Sequence, residues 1–336
     1  MKNFLTLCLS FFGALCLTLV SLTAGAQTIR RVNNNGITGT NIYATLQLAH
    51  DAAVGGDIIQ VEPSTTAYGA LNINKPLTIV GAGYFLGENA PPALQATVFP
   101  ATISDVNFLA GSTGTVISGL ENNGSFFVRS NNITIQRCKI AGYIYLGYTL
   151  VTDGAVIRQN YGPGVQQSSI STNSLITNNI FINGTVNLSG ANTGEFNNNT
   201  AINTSVSVNF FNVRNNYFNT SFTTTANTNW SYNLFTQATL PTLGTQSNNT
   251  VSVPLASVFV LAPTAPGQFD AWYKLKTGAN PATGGGQGGI DIGATGSATN
   301  YGYHFGGLPA IPAIYQLNQA VSGNSLNVTL GTRSNN

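Results

Sequence analysis

Few side chains in the middle of this sequence can carry charge, and three of them are candidates for chemistry. Between Asn160 and Phe269 the charged residues are Glu195 and Arg214 alone, and Arg158 lies just before that stretch. A guanidinium group binds a carboxylate through two parallel hydrogen bonds, so the two arginines could contact a sugar acid. The alternative interpretation is an exposed ion pair, which contributes less than about 1 kcal/mol to stability.

The sequence offers little else for acid–base or metal chemistry. No two carboxylates are adjacent, no Asp lies between Asp153 and Asp270, and the histidines are His50 and His304. Paired carboxylates supply the proton transfers of glycoside hydrolysis, and several carboxylates are needed to hold calcium. We therefore expect no metal site and no cofactor, and only weak catalytic candidates in Arg158, Glu195 and Arg214.

A short repeat must position these three side chains. Each copy has an apolar residue, two variable residues, a polar turn residue that is usually Asn, one more residue, and then an apolar or small one. The turn residues are Cys138, Asn160, Asn179, Asn199, Asn216 and Asn233, with spacings of 22, 19, 20, 17 and 17. Such a period suits one coil of a β-solenoid, whose equivalent strands stack in parallel about 4.8 Å apart.

The repeat predicts two inward columns of side chains. The first contains Ile135, Ile157, Ile176, Phe196, Val213 and Trp230, and the second contains Ile140, Gly162, Phe181, Ala201, Phe218 and Phe235. Because side chains alternate along a strand, Arg158, Glu195 and Arg214 should all point outward on one sheet face. Glu195 and Arg214 should lie on adjacent coils, and three coil steps should place Arg158 about 14 Å from Arg214.

Asparagine suits the turn of each coil for two reasons. It tolerates the left-handed backbone conformation better than other non-glycine residues do. Its amide can also donate to one neighbouring coil and accept from the other, so stacked Asn side chains would form a hydrogen-bonded ladder. Cys138 should occupy the first position of this ladder as a small, buried and unreactive residue.

Segments on both sides of the repeat carry a family resemblance. Residues 44–61 combine an amphipathic helix with a strand, and residues 73–84 are similar to an early coil. The helical face expected to cover the open end of the core contains Leu46, Ala49, Ala52 and Ala53. Residues 275–282 and 289–293 are similar to the closing segment of secreted bacterial members. The chain thus resembles a right-handed parallel β-helix of the pectin-lyase-like superfamily.

The resemblance implies an all-β solenoid with a short N-terminal capping helix and an irregular C-terminal cap. Enzymes of that superfamily act on polysaccharides; the lyases use carboxylates to hold calcium and an Arg or Lys as base, and the hydrolases use paired aspartates. This chain departs from both patterns because it lacks the carboxylates. The resemblance therefore predicts the fold more strongly than the function.

The composition and the N-terminus limit the location and the partners. Only 7% of the residues are charged and the net charge is +2, so no basic excess is available to bind nucleic acid. Lys2, the apolar residues 4–20 and Ala24-Gly25-Ala26 predict a secretory signal cleaved after Ala26. The alternative is a retained membrane anchor. With cleavage, the mature chain would not span a membrane and would be secreted.

The expected organisation has four parts. These are a signal peptide over 1–26, a lead-in with the cap helix over 27–56, the parallel β-helix over 57–262, and a closing segment with a tail over 263–336. The expected function is non-catalytic contact with polysaccharide or cell-surface glycan, or adhesion and scaffolding. The alternatives are a polysaccharide lyase or glycoside hydrolase with an atypical site, and crystal-surface binding through Thr223-Thr-Thr225.

Overall fold

Three parallel sheets wind into a solenoid of about 9 turns, which confirms the expected all-β class. The computed structural model describes residues 27–89, 94–190, 193–220, 222, 227–261, 269–297 and 302–333. The predicted signal peptide and Thr223-Thr-Thr225 lie outside the described residues. Within the described residues, no helix is long and apolar enough to cross a membrane.

The sheets are named A, B and C. Sheet A contains Ile29–Val32, Ile42–Tyr43, Ile58–Val61, Thr78–Val80, Val116–Ser118, Thr134–Gln136, Val156–Arg158, Ser174–Thr177, Gly194–Asn197, Phe211–Arg214, Asn229–Ser231 and Thr245–Ser247. Sheet B contains Leu71–Ile73, Val106–Phe108, Phe126–Val128, Ile144–Leu146, Val165–Gln167, Thr185–Leu188 and Ser205–Val208. Sheet C contains Thr102–Ile103, Glu121–Asn122, Lys139–Ile140, Tyr161–Gly162, Ile180–Ile182, Thr200–Ile202, Tyr217–Asn219 and Leu234–Phe235. Thr152–Asp153 and Ser171–Thr172 form a small separate pair.

The chain visits sheet A, then C, then B in each regular coil, and the two predicted inward columns are confirmed. Ile157 pairs with Ile176 in sheet A, and Phe181 pairs with Ala201 in sheet C. All twelve predicted column residues are buried. Gly162 lies against Ile140, where a Cβ atom would meet the Ile140 backbone oxygen at 2.7 Å. The large and small residues of the second column therefore interlock, as close packing requires.

A short helix, α1 (Leu46–Ala52), covers the start of the core as expected, but with a different face. Leu46, Ala49 and Ala53 are buried, whereas Ala52 is exposed and His50 takes its place. Positions 46, 49, 50 and 53 are three or four residues apart and therefore lie on one side of the helix, which ends at Ala52. His50 Nε2 accepts a hydrogen bond from the backbone N–H of Asn74 at 3.3 Å.

The first strand of sheet A lies within the stretch predicted as lead-in. Ile29–Val32 pairs in parallel with Ile58–Val61, so the solenoid begins before residue 57. Asp57 fixes this junction: its carboxylate accepts hydrogen bonds from the backbone N–H groups of Thr28 (3.1 Å) and Val54 (3.0 Å) and from Arg30 Nε (2.9 Å). Burial alone would raise the pKa of Asp57, but these donors outweigh it and lower the pKa.

This lowered pKa predicts how Asp57→Asn will behave with pH. The stability that the carboxylate contributes is present above its unfolded pKa near 3.8 and is lost as the pH falls through the lower folded pKa. We expect the variant to lose about 1–3 kcal/mol of unfolding free energy at pH 7, and the gap to close in acid. Urea denaturation at pH 7 and at pH 2 measures the difference in unfolding free energy between the variant and the native chain. Asp105→Asn, at an exposed position, is the control. An equal deficit at pH 7 and at pH 2 would contradict the assignment.

The C-terminal part folds back over the solenoid. It contains helix α2 (Leu255–Val258) and the 3-10 turns Asp270–Tyr273, Gln287–Gly289 and Phe305–Gly307. It ends in an antiparallel hairpin of Ala313–Ser322 and Ser325–Arg333, within the stretch expected as a closing segment and tail. A second apolar cluster, including Tyr217, Phe259 and Tyr273, joins this closing segment to sheet C.

Candidate functional site

A ladder of asparagines runs along the corner between sheets A and C. Each amide oxygen accepts from both the backbone N–H and the Nδ2 of the ladder residue one coil earlier; Asn199 Oδ1 lies 3.0 Å from Asn179 N and 2.9 Å from Asn179 Nδ2. Cys138 N donates to Asn160 Oδ1 at the first position. Asn249, which the sequence analysis missed, accepts from Asn233 and extends the ladder by one coil.

The left-handed residue of each turn lies one position earlier than expected. Ladder asparagines such as Asn179 do not adopt it; the preceding residues do, with φ between 52° and 58°. These preceding residues are Arg137, Gln159, Asn178, Asn198, Asn215 and Tyr232. The ladder asparagine is the second residue of each turn, and its side chain points inward. An Asn-Asn turn thus places one amide in the corner and one on the outer surface.

The outward side chains bind a segment that we call the C-terminal strap, described over 287–297 and 302–308. The contacts, one coil after another, are Asn215 Oδ1 with Gln287 N (2.8 Å), Asn198 Nδ2 with Asp291 O (3.1 Å), Asn178 Nδ2 with Ala294 O (2.8 Å), Gln159 Nε2 with Gly302 O (2.7 Å) and Arg137 Nη1 with Leu308 O (2.8 Å). The strap therefore runs back along the solenoid and is held at five successive coils.

The strap and the outer face of sheet A enclose a groove of about 600 Å³. Its floor is one outward column of sheet A, in which the residues follow one another in register: Arg158, Thr177, Asn197 and Arg214. Gln287, Ile290 and Ser297 of the strap form the facing wall. The two arginines are three strand steps apart, as the sequence predicted, and both line this groove.

The structure pairs Glu195 with Arg214. The Glu195 carboxylate lies 3.1 Å from Arg214 Nη2, and it also accepts from Asn197 Nδ2 at 2.9 Å and Asn212 Nδ2 at 2.7 Å. Arg158 lies apart from this cluster and donates from Nε to Gln136 Oε1 at 2.7 Å. The three predicted candidates therefore share one face, but the one carboxylate among them is already bound by three donors.

Among the residues that line the groove, the titratable side chains are Arg158 and Arg214. In the part of the chain that the structure describes, no three His, Cys, Asp or Glu side chains lie close enough to hold a metal ion. Burial, with the charge of Arg137, lowers the pKa of His304 to about 4, and burial raises the pKa of the Cys138 thiol to about 12. Neither group is poised for proton transfer near neutral pH.

A second cavity, which is apolar, lies toward the N-terminal end of sheet A. It is about 470 Å³, and Ile58, Val80 and Val116 line it beside residues 309–312. Gln136 also lines it and accepts a hydrogen bond from Arg158 of the groove. Two neighbouring cavities thus lie on sheet A, one apolar and one lined with amide, hydroxyl and guanidinium groups.

An aromatic cluster on the outer face of sheet B is a second surface feature that the sequence did not indicate. The rings of Phe127 and Tyr145 stack at 5.3 Å with an interplanar angle of 4°, and Tyr148 meets Phe127 edge-on. The Arg129 guanidinium lies 4.5 Å from the Tyr148 ring centroid. These rings cover one another and the arginine, so they offer less free ring face to a ligand than their number suggests.

The fold and the groove define a parallel β-solenoid protein with a strapped outer face. No protein-family model matches the chain, and neither the curated proteins nor the solved structures gave a match. The function must therefore be inferred from the groove itself.

Proposed function

We propose that this protein is a secreted β-helix of the pectin-lyase-like type that binds a polysaccharide without cleaving it. One observation carries the proposal: Arg158 and Arg214 line the same groove, three strand steps apart, over a floor of amide and hydroxyl groups. Three steps correspond to about 14 Å, so the arginines could contact two separated sugars of one chain. Elongated ligands that lie along the solenoid fit this spacing.

The charges of the groove favour glycans that contain sugar acids. Of the residues that line it, Arg158 and Arg214 are the charged ones, and both are cationic. Guanidinium groups form bidentate hydrogen bonds with carboxylates, and such charge-assisted bonds are stronger than bonds between neutral groups. The neutral floor of Thr177 and Asn197 adds hydroxyl and amide partners for sugar hydroxyls.

A polysaccharide panel tests the proposal with the chain from Gln27 onward. We expect acidic polysaccharides to bind without release of new reducing or unsaturated ends. Arg158→Gln combined with Arg214→Gln should weaken that binding about tenfold, because two charge-assisted contacts are lost and partly exposed ones contribute up to about 1 kcal/mol each. Binding should also weaken as salt rises.

Two control variants make the panel specific to the groove. Arg129→Gln removes a cation from the outer face of sheet B and should leave glycan binding unchanged. Glu195→Gln removes the carboxylate that pairs with Arg214 and should leave binding equal or stronger. Equal loss in all variants would refute the groove as the site, and new chain ends would favour the alternative of an atypical lyase or hydrolase.

A further inference from the structure

The C-terminal hairpin (Ala313–Arg333) carries an apolar face that nothing in the described chain covers. Five of its side chains, Leu317, Val321, Leu326, Val328 and Leu330, are between 48% and 78% exposed. The cross-strand pairs place them on one side, because Leu317 pairs with Leu330 and Val321 pairs with Leu326. Neighbouring positions on the other side are polar, including Asn318 opposite Thr329. The hairpin is therefore amphipathic, with its apolar face in water.

Among the described residues, the hairpin is bonded to the rest of the chain at its base. The backbone N–H of Ala96 donates to the Ile314 oxygen at 2.8 Å, and Arg333 Nη2 donates to the Leu94 oxygen at 2.5 Å. Beyond that base, residues 316–322 and 325–330 are all exposed. An isolated two-stranded hairpin is marginally stable in water and needs a surface on which to pack.

We propose that the apolar face of this hairpin packs against the same face of a second copy of the chain. No residue from Ala313 to Thr332 is charged, so nothing in this face selects a partner of opposite charge. A partner must therefore offer an uncharged apolar surface of matching shape, and a second hairpin related by a twofold axis offers one. The two hairpins would form a small sandwich with faces about 10 Å apart.

The size of the face sets the strength of this dimer. Strands of nine or ten residues are about 30 Å long, and a hairpin with its side chains is about 15 Å wide, which gives roughly 450 Å² per copy. The pair would bury about 900 Å² in all, below the size of a permanent interface and within the range of reversible ones. The dimer should accordingly form and dissociate with concentration, independently of glycan binding.

Sedimentation velocity of the chain from Gln27 onward, over a wide concentration range, is the direct test. We expect a reversible monomer–dimer equilibrium. Leu317→Glu combined with Val328→Glu should weaken it more than tenfold, because the twofold axis would bring like charges together on a desolvated face. Asn318→Glu combined with Thr329→Glu introduces the same charges on the polar face and should leave the equilibrium unchanged.

A cross-linking experiment identifies the contacting face independently. Gln319 pairs with Val328 in the middle of the apolar face, and Asn318 points to the other side. Because faces about 10 Å apart are too distant for a direct disulfide, a bifunctional maleimide with a span of about 10 Å should link Gln319→Cys into dimers at least tenfold faster than Asn318→Cys. The buried Cys138 thiol, whose pKa is raised to about 12, should not compete.

Three outcomes would overturn the proposal. The first is a monomer at every concentration, and the second is a dimer that survives the two charges on the apolar face. The third is a monomer that binds phosphatidylcholine vesicles and loses this binding in Leu317→Glu with Val328→Glu, which would assign the face to a lipid surface instead.

Discussion

Asn199→Ala should lower the unfolding free energy by about 3–5 kcal/mol. Asn199 is fully buried, and its side chain accepts from both Asn179 nitrogens and donates from Nδ2 to the Ile176 oxygen at 2.9 Å. Truncation removes the acceptor of the buried Asn179 N–H and one donor to a buried carbonyl. Each such unsatisfied group costs about 1–3 kcal/mol, because neither water nor another side chain replaces the lost partner.

Urea denaturation measures this loss, and the same coil region provides its control. Asn212→Ala also removes an amide with hydrogen bonds, to Glu195 and from Asn229, but those bonds are exposed to water. The control should change stability by less than about 1 kcal/mol, because water can take over at the surface. If both variants cost the same, burial of the ladder would not be the source of its strength.

The ladder and the core columns could be predicted because each coil repeats the same physical requirement. An apolar residue three positions before the turn must face the interior in every coil, so residue type and spacing recur together. The repeat did not identify Asn249, because Gln246 lies three positions before it, where the other coils have an apolar side chain. At this last coil the core ends, and the pattern that identifies the turn ends with it.

The strap could not be predicted for the opposite reason. Its contacts join outward side chains to backbone groups, and a backbone carbonyl accepts equally well from Arg137, Gln159 or Asn178. No residue type is required on the strap side, so no motif marks it. The groove depends on the strap, and sequence reasoning therefore found the two arginines but not the wall that faces them.

The C-terminal hairpin was missed because its first strand does not alternate cleanly. Ile314, Leu317 and Val321 are spaced by three and four residues, as on a helix. All three residues nevertheless lie in one strand. The register of its pairing with the second strand shifts between Ile314 and Gln316, and this irregularity interrupts the two-residue alternation. Only the second strand, with Leu326, Val328 and Leu330, shows the two-residue period that is typical of a strand.

Asp270 holds the far end of the strap to the solenoid. Its side chain is fully buried, where it accepts from Gly306 N at 2.6 Å, from the Tyr303 hydroxyl at 3.1 Å and from Asn89 Nδ2 at 3.1 Å. The Tyr303 hydroxyl in turn bonds the Tyr84 hydroxyl at 2.5 Å. Tyr303 and Gly306 belong to the strap. Tyr84 and Asn89 belong to the loop that follows strand Thr78–Val80 of sheet A. A single carboxylate thus joins segments that are far apart in the chain.

Asp270→Ala should release this end of the strap while the solenoid remains folded. The change removes the acceptor of two buried donors, Gly306 N and the Tyr303 hydroxyl, at about 1–3 kcal/mol each, which is enough to raise local opening about a hundredfold. Limited proteolysis should then cut within 302–308 much faster than in the native chain. Glycan binding should persist, because the groove wall over 287–297 is held separately by Asn215, Asn198 and Asn178. Asp291→Ala removes a strap carboxylate that accepts a hydrogen bond from Gly284 N at 2.9 Å, well away from Tyr303 and Gly306, and it should leave both readouts near native. Cleavage within 302–308 at the native rate would contradict the assignment of Asp270 as the anchor of this end of the strap.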